Sequence, residues 1–368
     1  MKRLFLIACL LLSIGCTMAQ ITGVHASDAR FQFVGRTRTH TPDVSVDWTG
    51  TYVRIHFVGK YLAVRLTDTG KNYYNLYLDR DITAEPDQII TTAGDTTIVL
   101  FTSKRRPKEH ILTLYKRTEG EQGCTTFHEF FVQGDILDAV PLKERQIEFI
   151  GDSYTCGYGA ENSTQRDRFT PETETSAKTY AAILARYFNA DYTLIAHSGM
   201  GIVRNYNSKF AHWYMPDRYC QTLDEDSTTR WDASQSAFKP QITVILLGGN
   251  DFSVNQHPAY EDFARNYMRL LNQIKSNYGA QHPIICCTKK GVPLLTDYVR
   301  QVVGECGLTN ITFCPFSDAL FHDDERNLGA DKHPNYEAHR KAAHVLIPYI
   351  ATLTGWELQD GSLLVGIQ

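Results

Sequence analysis

Residues 147–160, "IEFIGDSYTCGYGA", decide the fold of the second half of the chain. A short apolar run ends in Gly151, Asp152 and Ser153 and continues into a turn of small and aromatic residues. Two interpretations are open at this point. Ser153 either caps a helix that follows a buried strand, or it is a nucleophile presented at the end of that strand.

Five short apolar runs alternate with segments of helical period after Pro141. The runs are QIEFIG, YTLIAHS, ITVILLGG, PIICCT and ITFCPF. The segments SAKTYAAILARYFNA, YEDFARNYMRLLNQIKSNYG and NYEAHRKAAHVLIPYIATL have helical spacing of apolar residues, and we expect Ser176 to cap the first of them. This alternation predicts a parallel sheet covered on both faces, which binds ligands at the carboxyl ends of its strands.

Residues 31–140 have a different pattern. Short stretches such as TYVRIHFVG and HILTLYKRT alternate apolar with polar residues and are bounded by Gly, Asp, Asn or Pro. Strands at this spacing predict an antiparallel β-sandwich of the jelly-roll type. We therefore divide the chain into a β-sandwich domain, residues 20–140, and an α/β domain, residues 141–368.

The first 19 residues resemble a secretory signal peptide. Lys2 and Arg3 precede an apolar run that is too short to span a bilayer. Cleavage after Ala19 fits a signal-peptidase site, whereas residues 13–16 form an imperfect lipobox that would leave Cys16 lipidated. We expect an exported protein, whether periplasmic, extracellular or lipid-anchored to the cell surface, with no transmembrane segment.

The composition excludes some classes of partner. The 368 residues are 43% hydrophobic and 21% charged, and the net charge is −4. Because no basic patch dominates, we do not expect a nucleic-acid partner. Two of the nine cysteines lie in the signal segment, and none of the others has a spacing typical of zinc ligands. Disulfide pairing cannot be assigned from the sequence.

Four segments of the α/β domain carry polar residues that a core does not need. Three of them follow apolar runs, and the fourth precedes the last helix. They are residues 151–153 (GDS), 198–201 (SGMG), 248–251 (GGND) and 331–334 (DKHP). Each alone is an ordinary turn or cap signal. Together they are expected to meet at one edge of the sheet.

These residues are the types that ester hydrolysis requires. The Ser153 hydroxyl is a weak nucleophile that needs a base, for which His333 is the candidate. Asp331 is the candidate to orient that base and to stabilise its charged form. The oxyanion of the tetrahedral intermediate needs preorganised donors, which the Ser153 and Gly199 N–H groups and the Asn250 amide can supply.

The four blocks, in this order, resemble those of the SGNH (GDSL-type) hydrolase superfamily over about residues 145–353. The resemblance implies a flavodoxin-like α/β/α fold, no metal or cofactor, and the roles given above. Gly201 is an alternative to Gly199, because SGMG admits both alignments. The spacing from Asp331 to His333 is one residue shorter than the Asp-x-x-His common in the superfamily. A Ser–His dyad oriented by a backbone carbonyl therefore remains an alternative to the triad.

A closer resemblance is to carbohydrate esterase family 2. It rests on GDSYTCGYG, SGMGIVRNY, MPDRY at 215–219, RWD at 230–232 and GGNDFS, behind a leading β-sandwich. It implies a secreted, acetyl xylan esterase-like enzyme that deacetylates plant polysaccharides such as xylan or glucomannan, with a preference for sugar 6-hydroxyls. We expect a monomer.

Residues beside the motif blocks are the candidate sugar contacts. They are Tyr158, Trp213, Trp231 and Asp251. The loop at 205–232 is long and aromatic, as is typical of a cleft wall.

Two other functions remain open. One is a lipase or thioesterase of the same superfamily, which needs an extended apolar groove. The other is a non-catalytic carbohydrate-binding protein, in which the β-sandwich would bind the polymer. We favour a β-sandwich that forms one wall of the active-site cleft.

Overall fold

The computed structural model describes residues 20–208, 213–289, 291–316 and 326–359. The predicted signal peptide, residues 1–19, lies outside these ranges. No helix within them is long and apolar enough to cross a bilayer. The cysteines of the described ranges are free thiols.

The N-terminal domain is an antiparallel sheet, as predicted. Its eight strands are β1 (Ile21–His25), β2 (Gln32–Val34), β3 (Arg38–His40), β4 (Asp43–Val46), β5 (Tyr52–Leu78), β6 (Gln88–Thr102), β7 (Lys108–Lys116) and β8 (Thr125–Ile136). The 27-residue strand β5 pairs with β2, β6, β7 and β8. Because β5 joins so many neighbours, the strands form one continuous network around a single apolar core.

The C-terminal domain is built on a five-stranded parallel sheet, as predicted. Its strands are β9 (Arg145–Gly151), β10 (Ala190–Ala196), β13 (Ile242–Leu246), β14 (Ile284–Thr288) and β15 (Ile311–Pro315). The spatial order β10-β9-β13-β14-β15 is the flavodoxin-like order. The short strands β11 (Gln221–Leu223) and β12 (Asp226–Arg230) form a separate hairpin.

Within the described ranges, six α-helices accompany the parallel sheet. They are α1 (Ser153–Cys156), α2 (Tyr180–Tyr187), α3 (Met215–Arg218), α4 (Tyr260–Tyr278), α5 (Pro293–Glu305) and α6 (Tyr336–Thr354). The prediction for Ser176 is wrong, since Thr179 is the N-cap of α2. The Ser176 hydroxyl instead hydrogen-bonds to Thr49 and Tyr115 of the N-terminal domain, at 2.9 and 2.8 Å.

The register of the parallel sheet brings the motif blocks to one edge. Gly151, at the end of β9, lies opposite Ala196 of β10 and Leu246 of β13. All three strands run in the same direction, so the segments that follow them emerge side by side. The GDS, SGMG and GGND blocks therefore meet at the carboxyl edge.

Candidate active site

The turn after β9 presents Ser153. Asp152 is the N-cap of α1, and its carboxylate accepts the Tyr154 N–H at 3.1 Å. Ser153 is the first helical residue, so it does not serve as the cap. The turn is tight, because a Cβ atom on Gly151 would lie 2.0 Å from the Thr155 hydroxyl oxygen. The cap function thus belongs to Asp152, and the Ser153 hydroxyl is left free for chemistry.

His333 reaches the serine from the other end of the chain. Its Nε2 lies 2.9 Å from Ser153 Oγ. A short turn before α6 holds the histidine in place: the His333 N–H donates to the Ala330 carbonyl at 2.9 Å, and the Gly329 N–H donates to the His333 carbonyl at 2.8 Å. The contact has the geometry of a nucleophile and its general base.

The surroundings of His333 keep its ring neutral. Burial and the nearby Lys289 ammonium lower the pKa of His333 to about 4, while the Ala330 and Asp331 main chain and the Asp331 charge act in the opposite direction. A neutral imidazole can accept a proton at Nε2. The ring is therefore ready to act as a base across the neutral and mildly acidic range.

Asp331 does not orient the histidine in this structure. Its Oδ2 accepts hydrogen bonds from the Tyr158 hydroxyl at 3.1 Å and from the Phe169 N–H at 3.3 Å. Among the described residues, His333 Nδ1 has no hydrogen-bond partner. Asp331 occupies a turn with φ 50°, and its side chain bonds to Tyr158. The geometry therefore shows a Ser153–His333 pair in which neither Asp331 nor a described main-chain carbonyl binds Nδ1.

Two backbone N–H groups are available as oxyanion donors. Gly199 has φ of 80°, a conformation that glycine adopts without strain. Within the described ranges we find no acceptor for the N–H groups of Ser153 and Gly199. Gly201 is unsuitable, because its N–H donates to the Asn205 side chain at 3.0 Å. The structure thus favours Gly199 over Gly201.

Asn250 lies at the same cleft, but its amide already has partners. Its Nδ2 lies 3.1 Å from Asp152 Oδ2 and 2.8 Å from the Met200 carbonyl oxygen. Burial raises the pKa of Asp152 to about 6. For Asn250 to stabilise an oxyanion, one amide hydrogen must be shared with or released from these acceptors.

The serine and histidine open into a polar cleft of about 540 Å³. Its walls combine aromatic faces with hydrogen-bonding groups. The lining residues are Glu121, Gln122, Ser153, Tyr158, Phe169, Ser198, Gly199, Tyr206, Asn250, Asp331 and His333. Glu121 and Gln122 belong to the N-terminal domain, so the β-sandwich forms part of the wall.

One predicted sugar contact, Tyr158, lies in the cleft. Its ring stacks on Phe169 with centroids 3.8 Å apart, and it lies 4.3 Å from the ring of His333. The hydroxyl group is bound to Asp331. Tyr158 therefore both lines the cleft and packs against the base.

The prediction that Asp251 contacts substrate is corrected by the structure. Its carboxylate is fully buried and accepts the N–H groups of Ile202, Val203 and Arg204 at 2.8 to 2.9 Å. Burial raises the pKa of Asp251 to about 7, although the three donors act against this shift. Asp251 holds the loop that follows the SGMG block, and no oxygen of it faces the cleft.

The two predicted tryptophan contacts also lie outside the cleft lining. Trp213 is 38% exposed and lines a separate depression with Arg218, Asp224, Glu225 and Ser227. Trp231 packs under the Arg36 guanidinium, 5.2 Å from the ring centroid. Trp231 therefore belongs to the contact between the domains rather than to the site.

Sequence reasoning misses four residues of the cleft wall: Glu121, Gln122, Phe169 and Tyr206. Only Tyr206 had a signal, since it lies in the loop at 205–232 that we predicted to form a wall. Glu121 and Gln122 lie in the other domain. Nothing in their local sequence indicates that they meet Ser153.

Comparison with known proteins identifies the family. Residues 33–141 match the family described as Carbohydrate esterase 2 N-terminal, and residues 149–341 match the GDSL-like Lipase/Acylhydrolase family. Cellulase/esterase CelE of Acetivibrio thermocellus is 35% identical over 84% of this chain, which spans 38% of the length of that protein. An acetylxylan esterase / glucomannan deacetylase of Cellvibrio japonicus is 27% identical, over 84% of this chain and 85% of its own length.

A solved structure agrees over both domains. A family two carbohydrate esterase from Clostridium thermocellum, in complex with cellohexaose, superimposes with a TM-score of 0.79 at 33% sequence identity. The match covers 89% of this chain and 100% of that chain. The protein therefore belongs to the family two carbohydrate esterases, with the N-terminal domain of that family joined to a GDSL-like hydrolase domain.

Proposed function

We propose that the protein is a serine esterase that removes O-acetyl groups from plant cell-wall polysaccharides such as xylan or glucomannan. The observation that carries this proposal is the 2.9 Å contact between Ser153 Oγ and His333 Nε2 at the floor of an open, polar cleft. A relative from Cellvibrio japonicus bears the name acetylxylan esterase / glucomannan deacetylase, which supports the choice of substrate.

The proposed reaction has two stages. Ser153 Oγ attacks the acetyl carbonyl carbon while His333 Nε2 takes the hydroxyl proton. The N–H groups of Ser153 and Gly199, with the Asn250 amide, stabilise the oxyanion. The sugar hydroxyl then leaves with the proton from His333, and water hydrolyses the acetyl-serine by the same steps in reverse order.

The histidine needs its proton on Nδ1 for this reaction. In the proposed dyad, the Ala330 and Asp331 main chain stabilises the protonated ring, since it acts to raise the pKa of His333. Asp331 contributes indirectly, since it anchors Tyr158 against the imidazole ring.

The lining of the cleft suits a sugar substrate, and the nearby apolar cavity is too small for a long acyl chain. The cleft around Ser153 is lined by aromatic faces and polar groups, which suit a sugar ring. An apolar cavity behind Tyr154 and Pro334 holds only about 30 Å³, room for little more than one water molecule. No long acyl chain fits there.

The test compares acyl chains on one leaving group and acetyl positions on one sugar. We expect release of acetate from acetylated xylan and glucomannan, and turnover of 4-nitrophenyl acetate at least about a hundredfold faster than that of the octanoate. Monoacetylated glucose isomers then report the hydroxyl position, for which we expect a preference for the 6-O-acetyl isomer. Faster turnover of octanoate would point to a lipase-type enzyme instead.

We also propose that the enzyme is exported, on the basis of residues 1–19. The N-terminal sequence of the protein recovered from its native cells tests this. Cleavage after Ala19 would indicate a free secreted form, and a lipid on Cys16 would indicate a surface-anchored form. An intact Met1 would contradict export by either route.

A further inference from the structure

A carboxylate of the N-terminal domain contacts the loop that carries Gly199, a proposed oxyanion donor. Glu119 follows β7 and is 1% exposed. Its Oε2 accepts the Ser198 N–H at 2.5 Å. Ser198 is the residue before Gly199, and the peptide that joins them carries the Gly199 N–H.

The Gly199 peptide is thus fixed from both sides. The Ser198 N–H is bound to Glu119, and the Gly199 carbonyl accepts the Tyr206 N–H at 2.8 Å. A hydrogen bond to a carboxylate is about twice as strong as one to a neutral acceptor. The Glu119 contact is therefore the stronger of these two restraints on the direction of the Gly199 N–H.

Neighbouring groups keep the Glu119 carboxylate in place. The Cys156 thiol donates to the same Oε2 at 3.4 Å, and the Glu119 N–H donates to Glu174 Oε2 at 3.4 Å. Burial and the adjacent Glu119 raise the pKa of Glu174 well above its usual range, while the Lys116 ammonium acts against the shift. Glu174 is therefore a neutral acid beside Glu119.

We propose that Glu119 is a positioning residue for catalysis, through which the β-sandwich domain aims the Gly199 N–H at the developing oxyanion. The β-sandwich would then contribute to the rate of reaction as well as to the wall of the cleft. This inference rests on the proposed esterase function.

The test uses two substitutions of similar size in the full-length protein. Glu119→Gln keeps an acceptor for the Ser198 N–H, and Glu119→Met removes it. With 4-nitrophenyl acetate we expect kcat to fall at least about thirtyfold in Glu119→Met and only about threefold in Glu119→Gln, with KM within about twofold in both. Glu161→Gln is the matched control, because Glu161 also forms an ion pair across the domains, with Arg117, but does not touch the Gly199 loop.

An organophosphate ester separates positioning from folding. Diethyl 4-nitrophenyl phosphate places its phosphoryl oxygen in the same hole when it reacts with Ser153, so its inactivation rate should fall in parallel with kcat in Glu119→Met. Titration with it also counts the folded active sites. A kcat per titrated site in Glu119→Met within about twofold of the parent would overturn the inference, whatever its thermal stability.

The esterase mechanism and the positioning role of Glu119 are refuted by different results. Ser153→Ala with full acetate release would refute the esterase mechanism, and it would do so regardless of Glu119. Equal losses of kcat in the Gln and Met variants would refute the positioning role while leaving the mechanism intact.

Discussion

The charges and the burial around His333 set the pKa of its imidazole ring. An ordinary histidine has a pKa near 6.5, whereas burial and Lys289 lower that of His333 to about 4. The base must be neutral to accept the Ser153 proton. Its activity is therefore lost only when the pH falls through its own lowered pKa.

The lowered pKa of His333 determines the expected pH profile of the esterase activity. We expect kcat/KM for an aryl acetate to stay level down to about pH 5 and to fall as the pH drops through about 4. Lys289→Met removes a neighbouring positive charge, so the pKa of His333 should rise and the acidic limb should move upward. A parent enzyme whose acidic limb lies near pH 6.5 would contradict the neutral-base account.

Substitution of Asp331 tests whether its carboxylate orients the His333 ring. Because its carboxylate binds Tyr158 and Phe169 rather than His333, we expect Asp331→Asn to lower kcat/KM by about tenfold or less. His333→Ala should lower it by at least about a thousandfold. In a working triad, loss of the acid costs about 10⁴-fold. A loss of that size in Asp331→Asn would show that the carboxylate orients the imidazole during turnover.

The common direction of the parallel strands brings the motif blocks together. The parallel order β10-β9-β13 carries three motif blocks to one edge, and α6 returns His333 to the same place. The sequence pattern predicts this meeting, because buried strands and amphipathic helices leave periodic signals. Helix α5 (Pro293–Glu305) was not predicted, although its three buried residues, Leu295, Val299 and Val302, have helical spacing.

The direction of a side chain within a loop leaves no periodic signal in the sequence. Asp251 and Asn250 are neighbours after β13, yet the first is buried under the loop at 202–204 and the second faces the cleft. The contacts of Glu119, Glu121 and Gln122 depend on how the two domains meet. Local spacing therefore predicts the reacting residues but not the walls or the supports of the site.

The loop at 202–204 depends on Asp251. Asp251→Ala leaves three backbone N–H groups without their acceptor, and we expect the free energy of unfolding to fall by about 3 kcal/mol. Urea denaturation measures this change. Asp232→Ala is the control, since Asp232 is exposed and its carboxylate bonds, among the described residues, only to Ser234, and it should cost less than about 0.5 kcal/mol. Similar stability of the two variants would contradict the anchoring role.

The two domains share one hydrophobic cluster. Tyr52 and Tyr115 of the β-sandwich pack against Tyr192 of the parallel sheet, with ring centroids 6.2 and 6.4 Å away. The Tyr52 hydroxyl donates to Asp191 at 2.7 Å, and Arg54 forms a buried ion pair with the same carboxylate. Separating the domains would expose apolar surface of both and break the Arg54–Asp191 ion pair.

We therefore expect the domains to unfold together. Calorimetry of the full-length protein should give a single transition, and Tyr115→Ala should lower its midpoint without dividing it, because the cavity costs about 3 kcal/mol at a shared interface. Two separated transitions in the parent protein would contradict a common core.

The most direct measurement of the central claim is acetate release from acetylated xylan by the parent enzyme and by Ser153→Ala. Circular dichroism and the unfolding midpoint establish that the variant is folded. The account predicts that the parent releases acetate and that the folded variant does so at least about 10⁴-fold more slowly, because the Ser153 hydroxyl is the group that contacts His333 Nε2. A folded Ser153→Ala protein that releases acetate at the parent rate would contradict it.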